Sequence, residues 1–383
     1  MKIRTITLCV VFLFALACNK QEKTYQSSLE KYYSTLDSSG FSLYLGQTIQ
    51  KSKVFTNHIT ADVETDEVLS NYKVDAADDP AIWVNTNDPE KSLVLGTNKK
   101  GGVHVYNLQG EELQYLNVGC LNNIDLRDNF KYKGRDVALV AASNCTLNSI
   151  ALFYIDKETS KLSDTIINIK SDITMVYGIC MYKSRLTDKY YVFLNGESGE
   201  VEQWEIVSSD GKIEAKVVRE FMVSSRPEGM VADDENGVVY IGVEEEGVVK
   251  VQAEPENEFK NVWVTGSNPG DRTLISSDIE GLALFKDNEK NYLLISSQGN
   301  FSYAIFEIGN PDKYINSFTV VDGKMDGAEE TDGLEIYDAY INDEFPEGML
   351  IVHDGYNFIG DSLQRQNFKY IKLEKVKSFL DNN

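Results

Sequence analysis

The sequence predicts an all-β fold, a six-bladed β-propeller whose blades are four-stranded antiparallel sheets. From residue 61 onward, short apolar runs of four to seven residues alternate with clusters of Gly, Asn and Asp, which is typical of short strands joined by turns. A polar residue opens a strand six times, at intervals of 44, 54, 51, 52 and 52 residues. A unit of that length with about four strands is one propeller blade. The six strand starts lie near Asp79, Asn123, Tyr177, Glu228, Glu280 and Asp332.

The fifth unit illustrates the predicted blade, with apolar runs at 282–285, 292–297, 303–308 and 314–320. The first strand of a blade is innermost, so its leading polar residue is expected to face the central channel. The lead-in around 61–74 is expected to supply a strand that closes the last blade. A twofold sandwich repeated twice is the alternative architecture, and the even spacing of the strand starts disfavours it.

The N-terminal residues are typical of a processing signal followed by a tether. Residues 1–17 have a basic start and an apolar run too short to span a bilayer comfortably. A small residue precedes Cys18, so the sequence predicts a lipoprotein signal peptide, lipidation of Cys18 and anchoring outside the cytoplasm, on either face of an outer membrane. An ordinary secretory signal with an incidental Cys is the alternative. Residues 18–60 are predicted to be polar tether and lead-in, and residues 61–378 the propeller domain.

The charge of the chain limits its partners. Its 383 residues include 60 Asp and Glu against 37 Lys and Arg, a formal net charge of −23. Such a chain repels the phosphates of nucleic acid, so no nucleic-acid partner is expected. The balance suits a secreted, cation-binding protein, which we expect to be a monomer.

The cysteines favour neither a zinc site nor a disulfide framework. Two of the five belong to the signal, and the remaining three, Cys120, Cys145 and Cys180, have no metal-ligand spacing. Buried free thiols are the prediction, and one disulfide among the three is the alternative.

Carboxylates gather where the predicted strands begin. The stretch VDAADDPAIWV at 74–84 places three Asp before a Pro, which suits the first position of a strand. Clustered carboxylates repel one another unless a cation lies among them. Oxygen-only ligands in such number favour Ca²⁺, whereas three scattered His do not support a transition-metal site. The predicted ring comprises Asp75, Asp78, Asp79, Asp125, Glu228, Glu244, Glu280 and Asp332, with Asp278 and Asp354 as further candidates.

Three cations are candidates for binding an oxyanion. Lys99 and Lys100 precede two Gly, a combination that suits phosphate, although an ordinary basic turn is the alternative. Arg127 lies two residues after Asp125 on the same strand face, so it either reaches the same channel mouth to bind phosphate or serves as a structural partner of Asp125. The sequence lacks the Cys-x₅-Arg, phosphohistidine and nucleophile-elbow motifs of other hydrolases.

Over residues 61 to about 375, the chain resembles the β-propeller phytases, also called alkaline phytases. The shared motifs occur in order and are specific for the family. They include DDPAIWV (78–84), TNKKGG (97–102), LNNIDLR (121–127), DIEGL (278–282) and TDGL (331–334).

The resemblance implies a six-bladed propeller that binds several Ca²⁺ ions at one channel mouth. It implies removal of phosphate from myo-inositol hexakisphosphate (phytate), or from its calcium complex, by attack of a calcium-bound water. Asp79, Glu228 and Tyr177 are accordingly the candidate catalytic residues. The implied phosphate-binding residues are Lys99, Lys100 and Tyr177, and the implied calcium ligands are Asp78, Asp79, Glu228, Glu244, Glu280, Asp332 and Asp354.

The sequence departs from the family pattern at two positions. Cys145 stands where the family motif continues into Arg, and Glu197 stands where a Lys usually follows a Gly. Two cations that would bind substrate phosphate are therefore missing, and Lys183, Arg185 and Arg226 are candidates to replace them. Two alternatives stay open at this point. One is a calcium-binding lipoprotein that binds inositol phosphates or another ligand with weak or no catalysis, and the other is a metal-dependent lactonase.

Overall fold

The computed structural model of the chain describes residues 27–164, 167–268 and 275–380. Six sheets surround a central channel, and their innermost strands contact one another in a closed ring. The predicted six-bladed β-propeller is therefore confirmed. Within the described ranges, no helix has the length and apolarity needed to cross a membrane. The predicted signal peptide at 1–17 and Cys18 lie outside the described residues.

Two helices and two short strands precede the first blade. Ser27 and Ser39 each begin a helix with a capping box, in which the side chains at N-cap and N3 bond each other's backbone N–H. Leu45 and Ile49 pack in a buried cluster with Phe301 of the propeller. Within residues 27–60 the lead-in therefore contains two helices that pack on the propeller, which the sequence pattern did not predict. These elements are α1 (Ser28–Tyr33), α2 (Gly40–Ser52), β1 (His58–Ile59) and β2 (Val63–Glu64).

The first three blades follow one another along the chain, and in each the innermost strand comes first. The outer edge of the second blade consists of two short strands that both pair with its third strand. The first blade contains β3 (Ala77–Trp83), β4 (Leu93–Asn98), β5 (Gly102–Tyr106) and β6 (Glu112–Asn117); the second contains β7 (Leu121–Tyr132), β8 (Arg135–Asn144), β9 (Ser149–Asp156), β10 (Lys161–Leu162) and β11 (Ile167–Lys170); the third contains β12 (Val176–Lys183), β13 (Tyr190–Gly196), β14 (Glu200–Ser209) and β15 (Lys212–Met222).

The last three blades continue the same order, and a short hairpin is inserted in the sixth. The fourth blade contains β16 (Pro227–Asp233), β17 (Val238–Val243), β18 (Gly247–Gln252) and β19 (Val262–Trp263); the fifth contains β20 (Ile279–Asp287), β21 (Lys290–Ser297), β22 (Ser302–Ile308) and β23 (Lys313–Val320); the sixth contains β24 (Leu334–Tyr337), β25 (Met349–Asp354) and β28 (Asn367–Lys372), with the hairpin β26 (Phe358–Ile359) and β27 (Ser362–Leu363), before helix α3 (Leu373–Lys377).

The N-terminal strands close the ring. Strand β2 pairs antiparallel with β28 and is the outer strand of the sixth blade, as predicted for residues 61–74. Strand β1 pairs in parallel with β23 and adds a fifth strand to the fifth blade. The lead-in thus joins the last two blades of the propeller.

An apolar cluster fills each interface between neighbouring blades. Trp83 of the first blade packs in one cluster with Phe153 of the second, and Val94 of the first packs in another with Phe368 of the sixth. The other four interfaces are filled in the same way. Each sheet is therefore apolar on both faces, which explains the short apolar runs without strict alternation in the sequence.

The innermost strands of the first five blades share one irregularity. Strands β3, β7, β12, β16 and β20 each contain one extra residue relative to the next strand, between their first and fourth residues. A β-bulge of this kind re-aims side chains and is frequent beside active sites. The spacing in the sequence groups Asp79 and Asn123 with the channel-mouth residues of the other blades, which is one residue too late. The equivalent second residues of these strands are Asp78, Asn122, Tyr177, Glu228 and Glu280.

Cys120 and Cys145 form a disulfide, so the prediction of free thiols is wrong for these two and right for buried Cys180. Leu121 pairs with Asn144 where β7 begins and β8 ends. The two Cys that flank this pair therefore face each other with their Cα atoms 5.4 Å apart, a usual separation for a disulfide.

Candidate active site

A cavity of about 330 Å³ lies at the channel mouth where the innermost strands begin. Lys99 and Arg226 are the cations among its described lining residues, whereas eight lining residues are acidic. A polyanionic ligand would be repelled here unless bound cations reversed the local charge. The acidic lining residues are Asp75, Glu228, Glu244, Glu245, Asp278, Glu280, Glu330 and Asp332.

Glycines allow the strands that carry these carboxylates to approach one another. Gly229 and Gly281 directly follow Glu228 and Glu280 in the bulges. A Cβ atom at Gly229 would clash with the carbonyl oxygen of Glu280, and one at Gly281 would lie 2.8 Å from the carbonyl oxygen of Asp332. Because glycine has no Cβ, consecutive blades meet closely enough for their acidic side chains to converge.

Two triads of buried carboxylates share Glu228. The first comprises Asp78, Glu228 and Asp332, and the second Glu228, Glu244 and Glu280. Within each triad one oxygen from every residue lies within 4.8 Å of the others. The structure therefore brings together five of the predicted calcium ligands around one shared carboxylate.

Buried carboxylate oxygens in these triads lack hydrogen-bond partners. Burial and the neighbouring Asp332 raise the pKa of Asp78 well above its ordinary range, and burial and Glu228 do the same to Glu280. Burial and Glu228 also raise the pKa of Glu244 to about 8. Among the described residues, no hydrogen bond reaches either oxygen of Asp78, Oε1 of Glu244 or Oε2 of Glu280. Such a donor set fits Ca²⁺, which binds six to eight oxygen ligands in flexible geometry.

Lys99 is a largely buried cation between two of these carboxylates. Its Nζ lies 3.2 Å from Oδ1 of Asp78 and 3.1 Å from Oδ2 of Asp332. Burial disfavours the ammonium, but Asp332 and Asp78 outweigh burial and raise the pKa of Lys99 well above its ordinary range. Burial likewise disfavours ionised Asp332, but Lys99 outweighs it and lowers the pKa of Asp332. Both groups are therefore charged at neutral pH.

Tyr177 and Arg226 stack within the same cavity. The guanidinium carbon of Arg226 lies 4.6 Å from the centroid of the Tyr177 ring. Burial and the carboxylate of Glu228 raise the pKa of Tyr177 far above its ordinary value. The phenol is therefore neutral at physiological pH and can donate a hydrogen bond to an oxyanion, but it cannot act as a base.

Lys100 and Asp75 lie at the exposed edge of the site. Nζ of Lys100 is 2.6 Å from Oδ2 of Asp75, and the Asp75 side chain is 67% exposed. Asp278 lines the cavity, where burial and the adjacent Glu245 raise its pKa. Neither Asp75 nor Asp278 belongs to a triad among the described residues.

Asp79, Asp125 and Arg127 line a second cavity of about 160 Å³ within the channel, which shares no lining residue with the first. Oδ2 of Asp79 accepts a hydrogen bond from the backbone N–H of Ile124 at 2.9 Å. Arg127 lies 2.9 Å from both Asp125 and Asp234. Arg127 is thus a structural partner of Asp125, the alternative that the sequence left open, and is separate from the Lys99 cavity.

Asp354 belongs to another cluster. Its Oδ2 lies 3.2 Å from Nζ of Lys369, which also lies 2.6 Å from Asp326 and 2.7 Å from Glu64. Burial raises the pKa of Asp354 to about 7, although Lys369 opposes the shift. Asp354 is therefore in neither of the two triads.

Glu330 and Glu245 also line the Lys99 cavity but do not stand out in the sequence, and Arg226 is one of three cations that the sequence offers. Burial and Asp332 raise the pKa of Glu330 to about 8, and its Oε2 has no hydrogen-bond partner among the described residues. Glu330 precedes Asp332 by two residues, so the acidic run before that strand was a usable signal. Glu245 similarly follows the predicted ligand Glu244.

The chain is similar to several known proteins. The family model described as Phytase matches residues 33–383. A 3-phytase of Bacillus subtilis (strain 168) is 41% identical over 330 residues, which cover 84% of this chain and 85% of that protein. Among solved structures, a β-propeller domain from Myceliophteria thermophila has a TM-score of 0.45 at 9% identity, covering 77% of this chain and 83% of that chain.

Proposed function

Because the chain belongs to the phytase family of phosphoric monoester hydrolases, we propose that it releases phosphate from myo-inositol hexakisphosphate (phytate) and requires several Ca²⁺ ions to do so. The match over residues 33–383 and the 41% identity to a 3-phytase support the substrate. The observation that carries the metal requirement is the pair of buried carboxylate triads that share Glu228.

The charge of the cavity supports the same proposal. Eight acidic and two cationic side chains line it, so a hexaphosphate cannot enter without compensating cations. Asp78, Glu228, Glu244, Glu280 and Asp332 would hold these ions. Bound Ca²⁺ would neutralise phosphoryl oxygens and lower the pKa of a nearby water.

The chain's own residues would orient the substrate. The Lys99 ammonium, kept protonated by Asp78 and Asp332, would bind an oxygen of the reacting phosphate. The neutral phenol of Tyr177 would donate a second hydrogen bond. Glu228 would fix the distance between the two ion sites because it belongs to both triads.

The test is phosphate release from phytate by metal-stripped protein, measured with added Ca²⁺, with added Mg²⁺ and with neither. Release is expected with Ca²⁺ only, because Mg²⁺ demands a smaller octahedral site. Glu228→Gln is the matched variant, and its phosphate release should be at least about a hundredfold lower. Equal release without metal would contradict the calcium requirement, and no release under any condition would contradict phytate as substrate.

We also propose that the protein is anchored outside the cytoplasm by a lipid on Cys18. The support is the signal pattern of residues 1–17, which precedes Cys18 in the sequence. Incorporation of labelled palmitate by the native chain, and its loss in Cys18→Ser, would be the expected result. Equal labelling of both chains would contradict the anchor.

A further inference from the structure

We propose that Arg226 binds a non-reacting phosphate of the substrate, with the Tyr177 ring as the platform that holds its guanidinium. This inference rests on the proposed function and adds a residue that none of the shared family motifs includes. The ligand class is a polyphosphorylated cyclitol, which presents several phosphates to one site.

Arg226 is held in the right place by the fold. It directly precedes Pro227, the first residue of β16, and lines the same cavity as Lys99 and Tyr177. Its guanidinium lies over the Tyr177 ring at 4.6 Å, a distance typical of a cation–π contact. The contact holds the guanidinium beside the ring, and the edge of a guanidinium can bind a phosphate through two parallel hydrogen bonds.

Some N–H donors of the Arg226 guanidinium are not used in strong hydrogen bonds. Nε lies 3.0 Å from Oε1 of Glu244, yet that oxygen receives no hydrogen bond of acceptable geometry. Nη2 makes one long hydrogen bond, 3.5 Å, to Glu197. Among the described residues, Nη1 has no hydrogen-bond partner, and 45% of the side chain is exposed. Lys99, in contrast, is 20% exposed and paired with two carboxylates.

The other two candidate cations are engaged elsewhere. Nζ of Lys183 lies 2.9 Å from Asp188. Arg185 lies 3.3 Å from Glu235 and lines a different pocket, which also contains Lys286. Of the three candidate cations, Arg226 is therefore the one that lines the Lys99 cavity.

The structural alternative is that Arg226 only neutralises Glu244 and Glu197. The two roles differ in measurable ways. A residue that only neutralises would change calcium affinity and stability when removed, and would leave ligand affinity at saturating Ca²⁺ unchanged. A phosphate-binding residue would change KM and ligand affinity and leave kcat nearly constant.

The experiment compares wild type, Arg226→Gln, Arg226→Lys and the control Arg185→Gln at saturating Ca²⁺. Steady-state kinetics on phytate and calorimetric binding of myo-inositol hexakissulfate, a non-hydrolysable polyanion, are measured together with the unfolding midpoint. Arg226→Gln should raise KM and the Kd of the hexasulfate on the order of tenfold to hundredfold, with kcat changed by less than about threefold. The KM and Kd of Arg226→Lys should lie between those of wild type and Arg226→Gln, because lysine keeps the charge but cannot make two parallel hydrogen bonds. Arg185→Gln should match wild type.

Unchanged KM and Kd in Arg226→Gln, while wild type still releases phosphate, would overturn this inference and leave the proposed function standing. A fall in kcat at constant KM would also overturn it. If wild type releases no phosphate, the proposed function fails, and the hexasulfate Kd still decides the role of Arg226. If Arg226→Gln unfolds, the Kd of Arg226→Lys decides: a value equal to wild type overturns the inference.

Discussion

Nζ of Lys99 lies 3.1 Å from Oδ2 of Asp332, so a lysine from the first blade is paired with a carboxylate that precedes the sixth. The pair joins the two blades at the point where the ring closes. Because it sits among carboxylates that repel one another, we expect it to offset part of that repulsion before any metal binds.

Replacing Lys99 by Met should destabilise the metal-free protein by about 3 kcal/mol, because it leaves Asp78 and Asp332 buried without their counter-charge. Added Ca²⁺ should recover part of that loss. Urea unfolding with and without Ca²⁺ measures both effects. Lys100→Met is the control, since its partner Asp75 is exposed and such a pair contributes less than about 1 kcal/mol. Equal losses in the two variants would contradict the different placement of these lysines.

Calcium should stabilise the protein more as the pH rises. Burial raises the folded-state pKa of Glu244 and of Glu330 to about 8, above the ordinary glutamate value. Protonation of these groups therefore favours the metal-free fold at acid pH, and that contribution is lost as the pH rises towards 8. Bound Ca²⁺ requires the ionised carboxylates, so its stabilisation grows over the same range. The measurement is the Tm of metal-stripped protein with and without Ca²⁺ at pH 5, 6, 7 and 8. A Tm difference between the two samples that does not change with pH would contradict the predicted growth of calcium stabilisation.

Glu228→Gln should lower turnover of phytate by at least about a hundredfold, because one shared ligand is removed from both triads. Asp79→Asn should lower turnover less. Asp79 lines the second cavity, and the Asn amide oxygen can still accept the hydrogen bond from the Ile124 N–H. Glu258→Gln, at an exposed side chain, is the control. Steady-state kinetics at saturating Ca²⁺ compares the three. Equal losses of turnover in Glu228→Gln and Asp79→Asn would mean that Asp79 takes part directly in the reaction.

Removing the Cys120–Cys145 disulfide should cost about 3 kcal/mol of unfolding free energy, since the bridge closes a loop between positions 25 residues apart. Cys120→Ser and Cys145→Ser should lose the same amount of unfolding free energy. A reductant should lower the unfolding free energy of wild type to the value of these variants. Denaturant unfolding under oxidising and reducing conditions is the measurement. Unequal losses would show that one of the two side chains contributes by packing as well.

The architecture could be predicted from the sequence because every blade repeats one local arrangement, a polar residue at the start of an inner strand. The exact register of the inner strands in the first two blades could not be predicted from the sequence. Asp78 and Asp79 are adjacent and identical, as are Asn122 and Asn123, so the sequence does not indicate which member of each pair faces the mouth. The bulge decides this, and it appears only in the pairing with the next strand.

The disulfide and the N-terminal helices were missed for different reasons. The disulfide depends on the register of β7 against β8, which places Cys120 opposite Cys145. The helices did carry local signals, including the capping box at Ser27. Helix α2, however, is stabilised by packing of Leu45 and Ile49 on the propeller, which is tertiary information.

The closure of the sixth blade by β2 has a consequence for the order in which the protein is made. Strand β2 (Val63–Glu64) leaves the ribosome early, whereas its partner β28 (Asn367–Lys372) is among the last segments translated. About three hundred further residues must therefore be made before β2 can pair with β28. Pairing across such a sequence distance is slow, so the ring closes only after the whole chain has been made.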